Sequence, residues 1–200
     1  MKTKFPTLLA RVSAGVFFWL APSSFAAVLL LTHTGTGSGQ IGATSFTNAT
    51  FTISDTVDTA TRQTMAGGYF IDDLSASIAI TGVGTYPFSS PTRTFVNNSV
   101  TSVGFSRGGF GGSDLFDGPG DPAFSTWDLL TGIGPITGTG TLMQWGSSNG
   151  TINTSGGVLT FSNGGSVTTF TAVAVPEPAA CAAIAGLSVL AGTSWRRRPR

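Results

Sequence analysis

One cysteine, Cys181, and one histidine, His33, are all that 200 residues offer. A disulfide framework and a cysteine-rich zinc site are therefore excluded, and acid–base chemistry has little to draw on. Charge is scarce too. Charged residues make up 10% of the chain, against roughly 25% in soluble globular proteins. Glu177 is the sole glutamate, and no lysine follows Lys4. An electrostatic nucleic-acid binder, a coiled coil and a highly charged disordered chain fall away together. Glycine is what abounds, with 28 residues, about twice its usual ~7% share. Mean hydropathy is +0.26, raised by apolar segments near both ends.

Those segments read as addresses. Lys2, Lys4 and Arg11 precede the apolar run from Val12 to Ala21. Ser24 and Ala26 then supply small residues at the third and first positions before Ala27. This is the three-part layout of a secretory signal peptide over residues 1–26, cut between Ala26 and Ala27. Its apolar run is short for a membrane span, which takes about 20 residues. The expected partners are the Sec translocase and signal peptidase.

At the other end stands Val175-Pro176-Glu177-Pro178, followed by seventeen uncharged residues, 179–195, and then Arg196-Arg197-Arg198-Pro199-Arg200. As a helix the uncharged stretch would be about 25 Å long, at the short end of what spans a bilayer. The two prolines bar such a helix from running back into the preceding segment. Arg196, Arg197, Arg198 and Arg200 favour the cytoplasmic side, which leaves everything before the helix outside. Segment 175–200 resembles the PEP-CTERM sorting signal, whose Pro-Glu-Pro, short transmembrane helix and Arg-rich tail match here in order and spacing, Pro199 alone interrupting the basic run. The resemblance implies a protein of a Gram-negative, biofilm-forming bacterium, recognised by an exosortase, a membrane-embedded thiol transpeptidase-like enzyme. It marks Pro176, Glu177 and Pro178 as the recognition motif. Cys181, inside the apolar stretch, reads as a small packing residue, having no electropositive neighbour to lower its pKa.

The body between, residues 27–174, carries eight Asp against three Arg, a net charge of −5. That sign opposes DNA, RNA and anionic lipid as partners. Its periodicity is two. Leu74, Ala76, Ile78 and Ile80 alternate with polar or small residues, as do Ala49, Phe51 and Ile53. Further short β-branched and aromatic runs lie at Thr94–Val96, Val103–Phe105, Leu142–Trp145, Val158–Phe161 and Phe170–Val173. Asn149-Gly150 and Asn163-Gly164 read as hairpin turns. These features predict an all-β fold, an antiparallel β-sandwich or jelly-roll-like body, flanked by an N-terminal signal-peptide helix and a C-terminal transmembrane helix. One short helix is expected, capped by Asp121 with Pro122 at its first position and Phe124, Trp127 and Leu130 along one side. Gly108 to Gly120 reads as a long loop. Asp114, Asp117 and Asp121 are the candidates there for Ca²⁺, set against the preferred reading of a solvated Asp-rich loop.

Several motif matches fail on physical grounds. Gly146-Ser147-Ser148-Asn149-Gly150 fits the nucleophile-elbow pattern, but no histidine follows Ser148 to take its proton. Gly37 to Gly42 fits the dinucleotide glycine pattern, but a strand and not a helix follows. His33 reads as a hydrogen-bonded strand residue, and Asp72-Asp73 as neighbours pointing to opposite faces. The glycosylation sequons at Asn48, Asn97, Asn149 and Asn153 are expected by chance in so Ser/Thr/Asn-rich a chain.

The resulting expectation is a non-enzymatic exported protein, held briefly at the inner membrane and then at the cell surface or outside it. Its role would be structural, in the envelope or the exopolysaccharide, and no cofactor is expected. The alternative is a carbohydrate-binding or adhesive module that stacks sugars on Tyr69, Tyr86, Trp127 and Trp145. An extracellular hydrolase is the least favoured, for want of His and Glu.

Overall fold

The computed structural model describes residues 27–109, 114–143 and 151–176. They form thirteen strands: β1 (Val28–Ile41), β2 (Thr44–Asp58), β3 (Gln63–Met65), β4 (Gly68–Asp72), β5 (Ser75–Ile80), β6 (Gly84–Pro87), β7 (Thr92–Asn97), β8 (Ser102–Arg107), β9 (Asp114–Gly120), β10 (Ile133–Leu142), β11 (Ile152–Thr154), β12 (Gly157–Phe161) and β13 (Gly164–Val175). Every named pairing is antiparallel. The order across the sheet is β3-β4-β7-β8-β9-β10-β13-β1-β2-β5-β6, and β12 pairs with both β1 and β11. The all-β antiparallel expectation holds, within one hydrogen-bonded sheet.

Two-residue alternation decides which side chains go inside. On β2 Phe51, Ile53 and Val57 are buried while Thr52, Ser54 and Thr56 are only half-buried. On β1 Leu29 and Leu31 point in and Leu30 points out. Short turns set the registers: Ile41 faces Thr44 across a two-residue turn, where Gly42 takes a positive φ of 55° that suits glycine. So wide a sheet buries its apolar face by curling. Thr94 of β7 reaches Asp55 of β2, and the His33 ring on β1 packs against Phe105 of β8 and Phe116 of β9. The two halves thus face each other across one interior.

Two apolar clusters fill it. One holds Ile41, Phe46, Phe51, Phe116 and Phe161 beside the β1–β2 turn. The other holds Leu29, Leu31, Val57, Ile71, Phe124, Trp127 and Phe170 toward the ends of β1 and β13 where Val28 and Val175 lie. Phe170 lies 5.9 Å from Phe124, 5.4 Å from Trp127 and 4.7 Å from His33, ring centre to ring centre. Burying each such ring or aliphatic side chain contributes about 1.5–3 kcal/mol.

Three local expectations need correction. The stretch read as a loop from Gly108 to Gly120 contains β9, because pairing with β8 and β10 supplies partners for a Gly- and Asp-rich backbone. The short helix is a single 3-10 turn, Pro122–Ser125. Asp121 caps it by accepting from the Ala123 N–H, and Trp127 and Leu130 lie beyond it. Asn163-Gly164 does not make a hairpin, since β12 and β13 both run antiparallel to β1 and do not pair with each other. Asn149-Gly150 and both flanking helices lie outside the described residues. Among the described residues no helix is long and apolar enough to cross a membrane. The last strand runs to Val175, one residue into the segment assigned to the sorting signal.

Candidate functional site

The outer face of β3, β4, β7, β8 and β9 holds a groove of about 350 Å³, lined by Met65, Ala66, Phe70, Arg93, Phe95, Asn97, Ser106 and Asp114. Alternation places Phe70, Arg93 and Phe95 on the groove side, Phe95 only 8% exposed, and Ile71, Thr94 and Val96 on the other face. Gly104 makes room for the Phe95 ring. A Cβ there would run into that ring and come within 2.7 Å of Asp117 Oδ1. The Arg93 guanidinium lies 4.3 Å from the centre of the Phe70 ring and pairs with Asp72 at 2.9 Å, so its charge is already met. A bulge in β9 sets Asp114 opposite Ser106 and Asp117 opposite Gly104, on one face. Burial raises both carboxyls, and the charge of Asp114 helps bring Asp117 to about 6.

Asp121 stays away from this pair as the cap of its 3-10 turn. Among the described residues no group of three or more His, Cys, Asp or Glu side chains could hold a metal ion, so Asp114, Asp117 and Asp121 do not assemble a calcium site. Among the described residues the aromatic row does not form either. Trp127 is buried, with its indole N–H donating to Thr131 O at 3.0 Å. Tyr69 packs on the core beneath Arg62, and Tyr86 donates to Val83 O. Trp145 and Ser148 lie outside the described residues.

A second polar group lies inside the body. Asp55 is 1% exposed and His33 fully buried. Thr94 Oγ1 donates to Asp55 Oδ2 at 2.9 Å and lies 3.4 Å from His33 Nε2. Burial, then the charge of Asp73, pushes the Asp55 carboxyl well above its ordinary range. Burial takes Asp73 up to about 7, with the neighbouring Thr92 and Asp55 opposing the rise. His33 goes the other way, to about 3, because burial disfavours its charged form. The group is a neutral imidazole beside a carboxyl pair that retains protons. Its imidazole and the Asp55 carboxyl have almost no exposed surface. His33 is thus the interior strand residue expected, and Asp72 and Asp73 do part, one paired on the surface and one turned inward.

The two ends of the body meet. Val28 pairs with Val175 at the close of β13, and Pro176 follows directly. Ala27, the expected first residue after cleavage, is tied down by its N–H to Thr59 Oγ1 at 2.9 Å and its carbonyl to Thr59 N–H at 3.1 Å. Residues 174–198 match the PEP-CTERM protein-sorting motif. The chain carries a PEP-CTERM sorting motif. No match to the chain was found among curated proteins or solved structures. The motif implies a protein sorted by an exosortase to the cell surface. Of its Pro-Glu-Pro, Pro176 is exposed at the end of β13, whereas Glu177, Pro178 and the tail from Arg196 to Arg200 lie outside the described residues, as does Ala26.

Sequence reasoning missed Asp55, Phe70 and Phe95, and it did not foresee that Asp73 would join Asp55. A signal for Asp55 existed, since it falls in step with Phe51, Ile53 and Val57. Nothing linear joins Phe70 to Phe95, which only the pairing of β4 with β7 makes neighbours.

The buried groups give stability a defined pH dependence. Raised carboxyls bind protons in the folded chain that the unfolded chain has released, so their contribution is whole below about pH 4 and lost as pH rises through about 7. His33 acts oppositely, adding stability as pH rises from about 3 to its ordinary 6.5. Two coupled carboxyls outweigh one imidazole. Urea unfolding of the full chain should show higher stability at pH 5 than at pH 8. Asp73→Asn should flatten that slope by up to about 1.4 kcal/mol per pH unit, and an unchanged slope would show that Asp73 does not hold the proton.

Proposed function

We propose that this is a non-enzymatic, exported surface or matrix protein, a sandwich-like β body with a structural role in the envelope or exopolysaccharide. The observation that carries the reading is the sorting motif set where β13 ends beside the start of β1. An N-terminal signal peptide brings the chain to the inner membrane, and segment 179–195 holds it there until an exosortase acts. With both membrane-directed segments leaving one end, the body projects from that end as a unit. The absence of lysine from the body and its net −5 charge suit a solvated surface among neutral sugars better than an anionic one. A hydrolase finds no support in the carboxyl pairs. Asp55 and Asp73 are buried, and Asp114 and Asp117 share one strand instead of facing each other across a cleft.

A second reading, a carbohydrate-binding module, draws on the groove and not on the four aromatics first considered. Phe70 and Phe95 give it an apolar floor, and Arg93, Asn97 and Asp114 give polar groups on its lining.

Two measurements bear on these readings. Prolines flank Glu177 in the sequence, and a residue before proline disfavours helix; as a charged recognition residue Glu177 would form an assisted hydrogen bond worth about 1.5–3 kcal/mol. Glu177→Gln should therefore slow maturation in the native host roughly tenfold or more, followed by pulse-chase and mass analysis. Maturation at the wild-type rate, or an unchanged mass pattern in a strain lacking exosortase, would contradict the sorting role. For the groove, Phe70→Ser should weaken retardation in neutral-polysaccharide affinity gels about tenfold, and equal retardation would remove the second reading.

A further inference from the structure

The outer face of β1 and β13 carries apolar side chains beside the point where the sorting segment departs. Leu30 stands opposite Val173, and Val28 opposite Val175. Leu30, Val173 and Val175 are 41%, 53% and 42% exposed. Single exposed aliphatics are ordinary on a protein surface. Here they adjoin in register, on one face, at one end.

Their position narrows what covers them. Val175 and Ala179, where the uncharged stretch begins, are four residues apart, which caps their separation at about 14 Å. Both strands are interior to the sheet, β1 between β2 and β13 and β13 between β1 and β10, so they offer no free edge for another strand. What they present is methyl groups. On β2 the register neighbours are Thr56 and Asp58, and Asp58 Oδ1 already accepts from Ala60 N–H at 2.9 Å. With no lysine in the body and a net −5, anionic lipid is disfavoured and zwitterionic lipid is not.

We propose that Val28, Leu30, Val173 and Val175 rest on the outer interface of the cytoplasmic membrane, against zwitterionic lipid, while segment 179–195 is inserted. This rests on the reading of that segment as a membrane helix. Apolar side chains at the headgroup boundary are stabilised by burying area there. The contact fixes which end of the body faces the bilayer and holds the Pro-Glu-Pro link close to the plane in which a membrane-embedded enzyme works. The contact ends once processing releases the tail.

The test uses the full chain with Cys181→Ala, reconstituted in phosphatidylcholine–phosphatidylethanolamine vesicles that contain nitroxide-labelled lipid. A fluorophore is attached through Val173→Cys or, separately, Val167→Cys. Val167 is 69% exposed and lies on the same face of β13, about 20 Å further from the tail. The expected result is quenching at least threefold stronger at position 173 than at 167. Equal quenching at the two positions, in protein that floats with the vesicles, overturns the contact alone. Protein that fails to float removes the membrane-helix reading and the contact with it.

Discussion

The antiparallel pairing of the first strand of the body with the last is the constraint on which the rest depends. β1 and β13 match residue for residue from Val28 with Val175 to Thr34 with Thr169. This ladder joins the half of the sheet that begins at β3 to the half that ends at β6. Without it the Phe170 ring would lose its place against His33, Phe124 and Trp127, and the cluster around Leu29 and Leu31 would open to water. The same ladder sets Ala27 beside Pro176. Core and sorting geometry therefore have one cause.

Polar groups sealed inside this core carry a cost that must be met locally. An ionised carboxylate in an apolar interior is strongly disfavoured and shifts its pKa instead. Asp55 and Asp73 do so by retaining protons, with Thr94 donating to Asp55. His33 does so by staying neutral among Phe105, Phe116 and Phe170. The group links β1, β2 and β7, which come from both halves of the curled sheet. Hydrogen bonds are directional where apolar contact is not, so this group favours one alignment of the halves over its neighbours.

Sequence and structure agree most where a single strand carries its own pattern. Ile78 and Ile80, or Phe51 and Ile53, alternate with polar residues plainly enough to place β5 and β2. Agreement fails at β9, where Asp114, Gly118 and Pro119 have low strand propensity and pairing on both sides overrides it. It fails again at Asn163-Gly164, whose turn chemistry is real but whose flanking strands find β1 instead of each other. The inward Asp55 shows the limit of polarity as a guide, because its position in the alternation was informative and its charge misled. The sorting motif was readable for a different reason: its prolines, apolar stretch and arginines are consecutive and need no tertiary contact to be recognised. The groove is the opposite case, assembled from five strands by register alone.

The most direct test of this account is whether the two ends of the body meet as β1 and β13 require. Residues directly opposite in an antiparallel pair have Cα atoms about 4.5–5.5 Å apart, within the range a disulfide spans. In the exported chain, with Cys181→Ala to remove the native thiol, Val28→Cys combined with Val175→Cys should form an intramolecular disulfide when dissolved oxygen or a small disulfide oxidant takes up the two electrons, visible as a loss of two hydrogens, about 2 Da, reversed by reductant. Val28→Cys with Val167→Cys should not. Failure of the first pair to link, or linking of both pairs alike, would contradict the β1–β13 register and the shared end built upon it.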